Sequence, residues 1–186
     1  MPTGRTTFVT DHAPPTRSRD DQSGSTRDAR RLLAIYLSDH LAGSSGGLAL
    51  AGRGRRSNEG NELGRYLLAL ERELLDERAQ LEAIAASLAV RPARWKTVMG
   101  RVAAAMGRLK RNGRTLGYSP LSRVVELEAL IAGVTTKRQL WRSLHVVAAT
   151  EGVIEEAALD RLTMQAEGQL ERLMAHHRVA AAVAFG

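Results

Sequence analysis

The chain has no cysteine among its 186 residues, so disulfides, cysteine-ligated zinc and thiol catalysis are excluded. Aromatics are scarce: two Trp, three Tyr and two Phe. They are too sparse for a platform that stacks bases. A core must therefore be built from Leu, Ala and Val, and the 44% hydrophobic content suffices for one. No apolar run reaches the roughly 18 residues of a membrane span. The N-terminus carries Arg5 but no apolar stretch of a secretory signal, so the expected location is the cytoplasm. The sequence holds no P-loop, no dinucleotide fingerprint and no Gly-x-Ser-x-Gly nucleophile elbow. GSSGG at 43–47 matches that elbow in composition only and follows no strand. Strand-forming runs are missing, and Ala, Leu, Arg and Glu dominate, which predicts an all-α chain.

Acidic residues are missing from one long stretch. Residues 83–125 carry nine Lys or Arg and no Asp or Glu, whereas 57–82 carry three bases and seven acids. The net charge of +7 is thus a property of one segment. Such a segment fits a polyanionic partner, either nucleic acid or an anionic membrane surface. It equally fits docking on the chain's own acidic stretch. The candidate anion-binding side chains are Arg91, Arg94, Lys96, Arg101, Arg108, Lys110, Arg111 and Arg114.

Residues 1–27, rich in Thr, Ser, Asp, Arg and Pro, predict a disordered N-terminal arm, and 28–186 predict one domain. A first helix is expected over about 28–53, capped by Ser25 or Thr26, with RGRRSNEGN at 53–61 as the loop that ends it. Glycines 43, 46 and 47 inside it predict close approach of another backbone. A second helix over about 60–89 has a heptad seam: Leu63, Leu67, Leu70, Leu74, Glu77, Leu81, Ile84 and Leu88. Pro92 breaks the chain, and a short basic helix over about 93–111 follows. A third helix over about 119–149 has the seam Val124, Leu127, Ile131, Val134, Arg138, Trp141, His145 and Ala148, with Gly133 and Thr135 as a point of interruption. A fourth covers about 153–181. Four long amphipathic helices predict a four-helix bundle.

Glu77 is the one acid on an otherwise apolar seam, and a buried unpaired carboxylate is expensive. It needs a partner. His40 and Glu77 both lie about 12 residues from the end where the first helix begins, so they share a layer. If the chain simply turns after the second helix, Glu128 and Gln169 join that layer, and a metal cluster of His40, Glu73, Glu77 and Glu128 is expected. If residues 90–117 instead cross the full bundle length, Arg138 faces Glu77 as a structural ion pair.

YLSDHLAG at 36–43 and SPLSRVVELEALIAGVTTKRQLW at 119–141, on this four-helix pattern, resemble uncharacterised bacterial proteins of the ferritin-like superfamily. The resemblance covers about 28–181. It implies a bundle with an elaborated link between its second and third helices and inward-facing carboxylates. Di-iron members carry Glu on two helices and Glu-x-x-His on the other two. No Glu-x-x-His occurs here, and Glu73 and Glu77 stand at i, i+4 in its place. The resemblance thus implies architecture and no activity. The expected function is a non-catalytic ferritin-like bundle that assembles or binds a partner. The alternatives are a metal-binding bundle, with iron or another divalent metal, and a polyanion binder acting through 91–114. A homo-oligomer is compatible with all three.

Overall fold

The computed structural model describes residues 19–89 and 118–186. The expected basic helix at 93–111, all eight candidate anion-binding residues and residues 1–18 of the expected arm lie outside the described residues. Four helices follow in order: α1 (Arg19–Ser57), α2 (Glu62–Ser87), α3 (Pro120–Glu151) and α4 (Glu156–Phe185). Among the described residues no strand occurs, and no helix is long and apolar enough to cross a membrane.

Local chemistry sets the ends. Asn61 caps α2 by accepting the Gly64 N–H at 3.0 Å, and Ser119 caps α3 by accepting the Ser122 N–H at 3.1 Å. Pro120 takes the first helical position of α3, where its missing N–H costs nothing. Gly152, at φ 65°, closes α3 in the left-handed conformation.

α1 departs from the expectation at both ends. Ser25 and Thr26 lie inside it rather than capping it. Residues 53–57 stay helical rather than forming the expected loop. Arg55 and Arg56 suit the negative end, and Arg55 bonds Glu71 of α2 at 2.9 Å. The weak GSSGG stretch remains helical as well. Ser44 returns its hydroxyl to the Leu41 carbonyl at 2.7 Å, and Arg78 of α2 donates to that carbonyl and to both serine hydroxyls. α3 runs without interruption past Gly133.

Cross-helix contacts fix the directions. Arg30, Tyr36 and Arg53 of α1 meet Glu151, Ser143 and Glu126 of α3, so these two helices are antiparallel. Asn58, in the turn between α1 and α2, donates to the Tyr118 hydroxyl at 3.0 Å. The chain therefore leaves α2 at one end of the bundle and re-enters at the other, about 39 Å away at 1.5 Å per residue of α2. Of the two connections expected, the full-length crossing is the observed one. Each helix packs against two antiparallel neighbours, in the cyclic order α1, α2, α4, α3. The core holds Leu37, Leu67, Leu70, Leu127, Leu140, Leu144, Leu159, Leu162 and Leu173 around Trp141, its largest buried side chain.

Candidate functional site

Glu77 is buried at 2% exposure, as its seam position requires. Its partner is Lys137 of α3, whose ammonium bonds one carboxylate oxygen. Gln169 of α4, at 0% exposure, completes the group. Its amide N–H groups donate to Glu77 at 2.9 Å and to Glu73 at 2.8 Å, and its carbonyl accepts from Lys137. Arg172 of α4 donates to Glu73 at 3.1 Å, and Tyr66 of α2 donates to the Gln169 backbone carbonyl at 3.3 Å. Two carboxylates, two cations and one amide thus tie three helices together. Burial pushes the Glu77 carboxyl up against the opposing pull of Lys137, and burial pushes the Lys137 ammonium down against the pull of Glu77. Desolvation outweighs attraction on both partners, which marks the pair as costly to bury.

The expected partner Arg138 lies one residue off. It faces Glu167 of α4 at 4.0 Å and is 26% exposed. The expected seam of α3 and the observed one share Leu127, Val134, Trp141 and Ala148. Between these anchors Leu130, Lys137 and Leu144 turn inward, beside the buried Leu140, where Ile131, Arg138 and His145 were expected. Both sets fit alternating steps of three and four. Leu144 against His145 was the signal that decides between them.

The remaining candidates disperse. His40 packs edge-on against Tyr36 at 4.6 Å, and burial lowers its pKa, so its imidazole is neutral. Glu128 is largely exposed and meets His177 at 3.3 Å, and His145 meets Asp160 at 3.2 Å. Glu73 and Glu77 are together, and His40 shares a cavity wall with Glu77. Among the described residues no three His, Asp or Glu side chains converge as a metal site.

A second buried polar cluster centres on Glu126 and joins it to Arg53, Tyr118 and Asn58, whose roles the sequence did not single out. Glu126, at 7% exposure, pairs with Arg53 at 2.9 Å and accepts the Tyr118 hydroxyl at 3.1 Å. Asn58, at 1% exposure, holds that hydroxyl and the Gly54 carbonyl. The signal was the loop asparagine beside a Tyr and Glu eight residues apart, which becomes readable only once the crossing is known.

Comparison with protein-family models, curated proteins and solved structures finds no match.

Proposed function

We propose that the chain is a non-catalytic ferritin-like bundle that assembles or binds a partner. The single full-length link between diagonal helices α2 and α3 supports the ferritin-like reading. The observation that carries the non-catalytic reading is the engagement of Glu77 by Lys137 and Gln169. A carboxylate held by an ammonium and an amide has both of its oxygens engaged from within the protein. The end of α4 supports assembly, because Val179, Val183 and Phe185 are 65%, 60% and 71% exposed. The test is metal content of the purified protein, alongside a Glu77→Gln variant. Metal near background in both is expected. Stoichiometric metal that Glu77→Gln loses would replace this reading with the metal-binding one, for which Glu73 and Glu77 on one turn, near His40, would be the donors.

A polyanion partner is the second reading. Beyond the acid-free stretch at 83–125, a groove of about 740 Å³ between α2 and α4 is lined by Arg65, Arg123, Arg172, His176 and the single acid Glu62. The Arg123 Nε has no partner among the described residues. Retention on heparin that weakens when Arg108, Lys110, Arg111 and Arg114 become Gln would support it, with a flatter salt dependence. Absence of retention at moderate salt would remove it.

A further inference from the structure

Three of the helical glycines that have nothing in contact border one cavity. A Cβ added at Gly43 or Gly47 of α1, or at Gly133 of α3, meets no atom within 4 Å. Glycine weakens a helix interior relative to alanine, and here no close packing offsets that cost. The expected backbone approach occurs elsewhere, at Gly64, where a Cβ would come within 2.0 Å of the Asn58 carbonyl oxygen.

The space beside the three glycines is a cavity of about 380 Å³ bounded by α1, α2 and α3. Tyr36 with Ser143 on one side and Arg53 with Glu126 on the other clamp α1 to α3, and the helices leave this gap between the clamps. Ala129 and Ala132 continue the small-residue wall. The volume lies within the range of about 300–1,000 Å³ typical of small-molecule sites.

The polar groups on the wall define the occupant. Arg78 is engaged by Glu82 at 3.0 Å and by the serines of α1, and Glu77 by Lys137 and Gln169. His40 is neutral. Among the described residues, only two of the three Lys137 ammonium protons have partners, Glu77 and Gln169. Trp141, buried at 1% exposure, also lines the cavity, and its indole N–H has no acceptor among the described residues. Unused donors therefore stand on a mostly apolar wall whose buried charges are paired and which also carries the exposed carboxylate of Asp39. A ligand carboxylate would add an anion beside Glu77, so a neutral acceptor fits better.

We infer that this cavity binds an uncharged, largely apolar small molecule whose single hydrogen-bond acceptor faces Lys137. The inference rests on the reading of the chain as a binding protein, and the two fail separately. Retained metal would sink that reading, whereas absence of dye binding to metal-free protein would sink the cavity site alone.

The test uses the full-length chain and N-phenylnaphthylamine, an uncharged dye that brightens in apolar sites. Saturable binding to the wild type is expected. The combined variant Gly43→Ala, Gly47→Ala and Gly133→Ala places three methyl groups in the cavity. It should melt at a higher temperature yet bind at least about tenfold more weakly, a loss of about 1.4 kcal/mol. Gly168→Ala, in α4 and likewise without contacts, should raise the melting temperature and bind as the wild type does. Acetylnaphthalene should displace the dye better than ethylnaphthalene, which has the same shape without the carbonyl. Absence of saturable binding, or wild-type affinity in the combined variant, overturns the site. Equal displacement by the two naphthalenes overturns the acceptor contact with Lys137.

Discussion

Lys137 of α3 sets its ammonium on the Glu77 carboxylate of α2, across the diagonal of the bundle, where those two helices do not otherwise pack. Gln169 of α4 reaches both. The contact therefore joins helices that side-by-side packing leaves apart, and it reports on their relative register.

Its removal should be asymmetric. Glu77→Leu leaves the Lys137 cation in the core with one amide carbonyl. That should cost about 3 kcal/mol, the low end for a broken buried pair, because Lys137 retains 15% exposure. Adding Lys137→Leu should recover most of the loss. Urea denaturation of the four members of the cycle measures this. Additive effects would mean that the two groups do not interact in solution.

The buried position of Glu77 was legible because a strict heptad runs through it. The identity of its partner was not, and the reason is geometric. On α3 the residues at 127, 134, 141 and 148 are common to two seams that differ by one residue in between. At a 3.6-residue repeat both face inward within a fraction of a turn, so neighbouring side chains decide. Leu130 and Leu144 carry the observed seam inward, and Lys137 goes with them. The crossing between α2 and α3 was left open because nothing in 90–117 encodes where the chain re-enters. The contact of Asn58 with Tyr118 does so only in three dimensions. The glycines of α1 misled for a related reason. A helical glycine shows that a side chain is absent there, and not whether backbone or empty space takes its place.

Gly64 offers the sharpest contrast in sign. Gly64→Ala drives a Cβ to 2.0 Å from the Asn58 carbonyl oxygen, a backbone atom that cannot rotate aside. Asn58 is itself buried and holds Gly54 and Tyr118, so its displacement loosens the end of the bundle. A loss of about 1–3 kcal/mol is expected, as for overpacked cores. Gly168→Ala should instead gain about 0.5–1 kcal/mol from helix propensity. Thermal or chemical melts of the two variants decide, and a stable Gly64→Ala would refute the close approach.

His40 should make stability depend on pH. Burial holds its folded pKa below the ordinary 6.5, and the nearby Asp39 charge only partly offsets this. As pH falls through 6.5, the unfolded chain takes up a proton on His40 before the folded one does. The sign follows: His40 contributes stability above 6.5 and loses it on acidification. His40→Gln should flatten this part of the profile. Parallel slopes for wild type and variant between about pH 5 and 7, near the ordinary range of histidine titration, would contradict the burial of the ring.

Glu126 should respond in the opposite direction. Burial raises its carboxyl above the ordinary 4.5, although Arg53 and the Tyr118 hydroxyl pull the other way. A raised folded pKa means that the folded state holds this proton more tightly than the unfolded chain. Its stabilising effect is complete below 4.5 and is lost as pH rises through the folded value. At neutral pH the ionised group opposes folding, and its ion pair with Arg53, which is 34% exposed, returns little. Glu126→Gln keeps an acceptor for Tyr118 and removes the buried charge. It should be as stable as the wild type or more so at neutral pH. The difference should shrink as pH falls toward 4.5, where more of the wild-type carboxyl is itself protonated. Glu126→Ala removes the acceptor as well and should destabilise by about 1–3 kcal/mol, leaving the Tyr118 hydroxyl to Asn58 alone. Chemical denaturation at the two pH values separates these outcomes. A Glu126→Gln variant weaker than the wild type by more than about 1 kcal/mol at neutral pH would show that the Arg53 pair outweighs the cost of burial.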